Sequence, residues 1–192
     1  LFVTEHERTI GTSLWASLPG PRVGVHPGGL SARRWRPESY RDLAFELAQA
    51  GYGVMLTGSE SERKQFESHA KPPRQIPTQI KNCMGQLSLR QLMAVIVHAH
   101  VVVSGATGPA HMAAALGIPT VSLFDPRRNN LPVRWKPLGT GVVLRPDVPT
   151  CDKCIGEACP YWDCLDHFTV DKVATAIRLV IDAPSALVIH HI

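Results

Sequence analysis

Three groups of residues in this chain have the types and spacing to hold an anionic or polyhydroxyl ligand. The first is His26-Pro-Gly-Gly-Leu-Ser-Ala-Arg-Arg-Trp-Arg-Pro37. Gly28 and Gly29 carry no Cβ, so backbone N–H groups can approach an anion closely. Arg33 and Arg34 follow, and a guanidinium can grip phosphate oxygens in a two-pronged fork. The second is Ser104-Gly-Ala-Thr-Gly-Pro-Ala-His-Met-Ala-Ala-Ala-Leu-Gly117. Here Thr107 is placed to cap a helix and to hydrogen-bond a phosphate. The N–H groups of Gly108 and Ala110 would face the same point, where the helix dipole favours negative charge. His111, on the first turn, could donate to a phosphate or a sugar hydroxyl. The third is Leu56-Thr-Gly-Ser-Glu-Ser-Glu-Arg63, whose acidic side chains could hold ribose hydroxyls. Each group also has a plainer reading: a solvated loop with a basic cluster, a capped core helix with a buried histidine, and an acidic helix cap.

The elements that must position these groups are legible as short apolar runs alternating with helical patterns. Strands are expected at Arg22–His26, Gly53–Thr57, Val101–Ser104, Thr120–Phe124 and Gly141–Leu144. Helices are expected from Thr4 to Leu18, from Pro37 through Ala50, and from the Gly58-Ser-Glu60 turn to near His69. Further helices follow over Leu89–Ala99 (capped by Ser88), Thr107–Leu116 and Thr169–Ile181. Lys71–Gln79, with three prolines, reads as a loop. Continuous apolar strands separated by helices imply an α/β fold, a Rossmann-like parallel sheet with helices on both faces. In such a sheet ligands bind beyond the carboxyl ends of the strands, where all three groups fall. Neither a P-loop nor a Gly-x-Gly-x-x-Gly fingerprint is present, which argues against a P-loop nucleotidase and a dinucleotide dehydrogenase.

The bulk numbers narrow the class. With 192 residues, 44% hydrophobic and 19% charged, the chain fits an ordinary globular domain and is not disordered. Its formal charge of +4 is too small to indicate nucleic-acid binding and suits a small anionic ligand. No apolar run approaches the roughly 20 residues of a membrane helix, and the start has neither region of a signal peptide. Residues 1–20 read as a linker helix from a missing N-terminal domain, 21–183 as the ligand-binding domain, and 184–192 as a tail.

Four segments, in order and spanning nearly all of residues 20–182, resemble glycosyltransferase family 9, the heptosyltransferases of lipopolysaccharide core assembly. They are His26-Pro-Gly-Gly-Leu-Ser-Ala-Arg-Arg-Trp, Leu56-Thr-Gly-Ser-Glu-Ser-Glu, Thr107 through Phe124, and Arg134-Trp-Lys-Pro-Leu-Gly139. The resemblance implies one half of a GT-B glycosyltransferase, two Rossmann-like domains with the active site between them, and matches this chain to the C-terminal, donor-binding half. It implies inverting transfer of a sugar, heptose, from an ADP-sugar to a lipopolysaccharide core or similar glycan acceptor. No cofactor is implied for catalysis. It places Gly28, Gly29, Arg33 and Arg34 beside the diphosphate, Glu62 at the ribose, and Thr107, Gly108, Pro109 and His111 at the pyrophosphate and sugar. The catalytic base is expected in the missing domain, which would also bring the glycolipid or glycan acceptor. The implied location is cytoplasmic, at the inner face of the inner membrane, with peripheral membrane contact by the full-length protein. Two departures stand out: Ala106 where the family often has Asp, and Phe124-Asp125-Pro126 where it often has Phe-Gly-Pro. The loss at Ala106 keeps a second reading open, a non-catalytic nucleotide-sugar-binding module. A zinc-stapled nucleic-acid module is a third, opposed by the low charge.

Five cysteines remain. Cys151, Cys154, Cys159 and Cys164 crowd the loop 150–165, where a structural zinc, disulfides and packed free thiols compete. Cys83 is expected to be buried and inert. His98 and His100, just before a strand, are expected to be structural.

Overall fold

The computed structural model describes residues 1–28, 35–69 and 76–183. Six strands form one parallel sheet in the order β3-β2-β1-β4-β5-β6. They are β1 (Arg22–His26), β2 (Gly53–Leu56), β3 (Ile80–Asn82), β4 (Val101–Gly105), β5 (Thr120–Leu123) and β6 (Gly141–Leu144). The helices are α1 (Glu5–Trp15), α2 (Pro37–Gln49), α3 (Glu60–His69), α4 (Leu89–Ile96), α5 (Gly108–Ala115), the single turn α6 (Pro132–Trp135) and α7 (Val170–Asp182). The expected parallel α/β architecture is therefore present.

Alternation along the strands divides the core between two faces. Val23 and Val25 of β1, Val54 and Leu56 of β2, and Val101 and Val103 of β4 point to one side. There they meet Tyr40, Leu43 and Leu47 of α2 and Val173 and Ile177 of α7. Met55 and Val102 point to the other side, against Trp15, Val95, Ile96 and Ala113. With both faces covered, β1, β2, β4 and β6 read as largely apolar runs, while β5 alternates, its Val121 and Leu123 in the first layer and its buried Thr120 and Ser122 on the other side, where the Ser122 hydroxyl donates to Thr120 Oγ1 at 3.3 Å.

Helix α1 is part of this second layer. Gly11 is buried against the backbone of Ala94 in α4, where a Cβ would collide with the Ala94 carbonyl. Trp15 is fully buried, and its indole N–H donates to the Val95 carbonyl at 3.0 Å. A capping box opens the helix: Thr4 Oγ1 accepts from the Glu7 N–H while the Glu7 carboxylate accepts from the Thr4 N–H. Ser88 caps α4 in the same way with Gln91. Gly51 and Gly117, at φ +88° and +78°, follow the ends of α2 and α5 in the left-handed conformation that only glycine adopts cheaply.

Two elements were not expected. β3 is three residues long and pairs with β2 just after the proline-rich stretch, too short to show periodicity. α6 is one turn inside what reads as a loop. The histidines before β4 are structural: His98 Nε2 lies 2.9 Å from the Arg8 carbonyl, and His100 Nδ1 accepts from the Arg22 N–H at 3.0 Å. Cys83 is buried, and burial raises its thiol pKa, keeping it protonated.

Candidate functional site

The strand order reverses direction between β1 and β4, which lie side by side with His26 opposite Ser104. The loops that leave these two strands diverge to opposite sides, so a crevice must open at their carboxyl ends. An open cleft of about 510 Å³ lies there. Glu62, Thr107, Gly108, His111, Arg127 and Trp135 are on its walls, with His26, Ala106, Pro109 and Asn130. Four expected site positions from the α5 junction and Glu62 from α3 thus share one space. Gly28 lies at its back, in a small adjoining cavity with Ala106 and Thr107. Gly29, Arg33 and Arg34 lie outside the described residues.

Glu62 serves two roles at once. Its Oε2 accepts from the Ser59 backbone N–H at 2.7 Å and from the Ser59 hydroxyl at 2.8 Å, closing the first turn of α3. Its carboxylate also lines the cleft. Gly28 makes this possible, since a Cβ at that position would occupy the space of the Glu62 carboxylate. The cap and ligand readings of this glutamate are therefore compatible.

The α5 junction differs in detail from the expectation. Thr107 holds the N-cap backbone conformation, but its hydroxyl donates to the Gly105 carbonyl at 3.4 Å and makes no cap hydrogen bond. The Ala110 N–H is engaged by the Thr107 carbonyl at 3.1 Å, and Pro109 has no N–H. The anion-facing donor at this terminus is accordingly the Gly108 N–H, backed by the helix dipole. His111 is exposed on the first turn, not buried in the core as the plainer reading had it.

His26, at the end of β1, is a site residue that sequence reasoning quoted but did not single out. Its side chain is 8% exposed. Nδ1 lies 3.1 Å from Thr57 Oγ1, and Nε2 lies 3.9 Å from Glu62 Oε1. Burial lowers its pKa, and the Glu62 charge opposes that shift without overcoming it. The ring is thus held neutral near neutral pH. Position alone was a signal, because His26 is the last residue of a strand that ends at a ligand-binding edge.

The group after β5 was noted in the sequence only as a departure at Asp125, and its pairing with Arg127 and Asn130 was missed. Asp125, 2% exposed, accepts from Arg127 Nε at 3.0 Å and Nη2 at 2.7 Å. Asn130 Nδ2 donates to the same carboxylate at 3.0 Å. The hydrogen bonds and charge of Asp125 raise the Arg127 pKa, keeping the guanidinium charged.

Beside this group lies the cysteine loop. Cys151, Cys154, Cys159 and Cys164 border one small cavity with Arg127 and Tyr161, and none of the four is in a disulfide. Among the described residues no three His, Cys, Asp or Glu side chains are grouped so as to hold a metal ion. Of the three competing readings of this loop, the structural zinc therefore has no support among the described residues. What the loop does instead is brace the site. The Cys151 N–H donates to the Pro126 carbonyl at 3.2 Å, and the Arg128 N–H donates to the Cys151 carbonyl at 2.7 Å. Farther on, the Phe168 carbonyl accepts from the Trp35 indole at 2.8 Å, and Asp166 pairs with Arg36 at 2.5 Å. The chain at Trp35 and Arg36, just before α2, is thereby tied to the end of the cysteine segment.

With this geometry in place, comparison with known proteins decides the family. The sequence pattern of Glycosyltransferase family 9 (heptosyltransferase) matches residues 16–162. The chain belongs to this family. Lipopolysaccharide heptosyltransferase 2 of Salmonella typhimurium is 32% identical over 130 residues, covering 66% of this chain and 37% of that protein. Lipopolysaccharide heptosyltransferase 1 of Pseudomonas aeruginosa is 28% identical over 190 residues, covering 86% and 49%. Among solved structures, the ADP-heptose lps heptosyltransferase II of E. coli superimposes with a TM-score of 0.74 at 23% identity, covering 97% of this chain and 54% of that one. This family member thus shares the Rossmann-like fold of GT-B glycosyltransferases, and it spans about half the length of its relatives or less. No helix among the described residues is long and apolar enough to cross a membrane.

Proposed function

We propose that this chain is the donor-binding half of a heptosyltransferase that takes heptose from ADP-heptose and transfers it to a lipopolysaccharide core or similar glycan acceptor. In this reading residues 21–183 bind the nucleotide sugar, and residues 1–20 lead in from an N-terminal domain. The observation that carries it is the cleft at the β1/β4 crossover, with an acidic group, a helix N-terminus and a fixed guanidinium arranged along it.

The chemistry follows from that arrangement. Glu62 meets the ribose hydroxyls, and the Gly108 N–H and Arg33 meet the diphosphate. As the bond from the sugar to the diphosphate breaks, negative charge grows on the leaving oxygen. Preoriented N–H donors and cations stabilise it most where the charge is greatest, without a divalent ion. The acceptor hydroxyl attacks from the face opposite the diphosphate, inverting the anomeric carbon. A base in the other domain takes its proton. The enzyme works on the cytoplasmic side, at the inner face of the inner membrane, where its acceptor lies.

Titration calorimetry of the full chain with ADP tests the reading. Binding at millimolar affinity or tighter is expected, weakened about tenfold or more by Arg33→Ala, in line with the loss of a charge-assisted phosphate contact. Folded protein that takes up no ADP would overturn it. A second reading, a nucleotide-sugar-binding module without transfer, is favoured by one observation. Ala106 lines the cleft and offers the donor sugar only a methyl group. Full-length protein that binds ADP-heptose yet neither transfers nor hydrolyses it would support that second reading.

A further inference from the structure

We propose that Arg127 binds the phosphate that carries the donor sugar, and that Asp125 and Asn130 are the residues that position it. This inference rests on the donor-binding reading above and extends it to a group that the sequence alone does not single out.

The first argument is burial. A carboxylate as buried as Asp125 is tolerated only when it is paired and hydrogen-bonded. Its partners here are the Nε and Nη2 side of one guanidinium, the Arg127 backbone N–H at 3.0 Å, and the Asn130 amide. Two parallel bonds between planar groups fix the guanidinium in orientation as well as position. The backbone is fixed too, because Cys151 bonds to the residues on either side of Arg127. An arginine held this firmly surrenders little rotamer entropy when it meets a ligand, which is how a binding group is preorganised.

The second argument is order along the sheet edge. Glu62 follows β2, His26 ends β1, Gly108 follows β4 and Arg127 follows β5, and these strands are neighbours in that sequence. All four residues line the same cleft. A nucleoside diphosphate with its ribose at Glu62 and its chain passing the α5 N-terminus therefore runs toward Arg127. The group that arrives there is the distal phosphate, the one bonded to the sugar. Positive charge and N–H donors at that phosphate lie where the leaving group becomes most negative.

The test uses the full chain and a neutral pair, the isosteric Asp125→Asn with the shorter Arg127→Gln, so that neither charge is left buried alone. Calorimetry with ADP and with AMP is the readout, with thermal melting as a check on folding. The double variant is expected to melt as one cooperative unit. It should bind ADP about 10- to 100-fold more weakly while its AMP affinity changes less than about threefold. The single variant Asp125→Asn, which keeps the arginine but loosens its fork, should fall between wild type and the double variant. Wild-type ADP affinity in the double variant, alongside a clear loss in Arg33→Ala, would leave donor binding intact and sink this inference alone. An equal loss for ADP and AMP would also sink it, by showing that the pair only shapes the pocket. No ADP binding by the wild-type chain would remove the donor reading, and this inference with it.

Discussion

At the residue scale, the site is governed by which polar groups are dry and what they face. His26 is the sharpest case. Its ring sits between the Thr57 hydroxyl and the Glu62 carboxylate, and burial lowers its pKa. In the unfolded chain the same histidine takes up a proton as the pH falls through about 6.5. The folded protein resists that proton until lower pH. Stability contributed by the neutral ring is thus fully present above the unfolded value and is lost as pH falls below it, because the unfolded state then binds more protons. Urea unfolding followed between pH 7.5 and pH 5 is expected to show this decline, and His26→Gln should flatten it while keeping a polar partner for Thr57. An identical slope in the variant would show that other groups set the pH dependence. Residue types were well advertised in the sequence here: glycines, arginines, a threonine at a helix start. The Thr107 hydroxyl shows where such reading stops. Its N-cap backbone conformation was foreseen, yet the hydroxyl turned back to the Gly105 carbonyl, a choice between two nearby acceptors and donors that no spacing rule determines.

Elements were legible in proportion to their length and burial. The buried strands β1, β2, β4, β5 and β6 announced themselves because both of their faces are covered. β3 did not, since three half-buried residues give no pattern. Helix α1 raises a different question. Its sequence reads as a connector, but its packing makes it part of the domain: Gly11 admits the backbone of α4, and Trp15 fills the layer between α4 and the sheet. Truncating that tryptophan removes a large buried ring and one of the hydrogen bonds to the Val95 carbonyl, which keeps the His98 N–H at 3.2 Å. Trp15→Ala should therefore cost about 3–5 kcal/mol of stability, measured by urea unfolding. At a temperature where the variant remains folded, ADP affinity should stay within about twofold of wild type, because α1 lies on the sheet face away from α2 and does not border the cleft. A loss of ADP binding by folded variant would mean that α1 shapes the site after all.

At the scale of the whole molecule, the sheet order was the part of the fold that no local pattern could supply, and it is also what makes the site. Short apolar runs specify strands but not their neighbours. Only the crossover between β1 and β4 brings the glycine–proline junction, α3 and the α5 terminus to one crevice. That same geometry restricts what the chain can do alone. The titratable groups bordering the cleft are His26, Glu62 and His111 among the described residues, with Arg127 held charged. All of them stand on the sheet edge where, under the donor-binding reading, the diphosphate lies. The inverting transfer proposed above needs a base on the far side of the sugar, next to the incoming hydroxyl. A group lining the diphosphate side is on the wrong face to take that proton, however well tuned its pKa. The chain by itself is thus expected to bind ADP-heptose and leave it intact, with or without a lipopolysaccharide core acceptor, while protein that also carries the proposed N-terminal domain is expected to release ADP and extend the acceptor. Chromatography of the nucleotide pool over several hours distinguishes these outcomes. Acceptor-dependent ADP release by the 192-residue chain would place the base among its own residues, and His111, exposed at the start of α5, would be the first to replace.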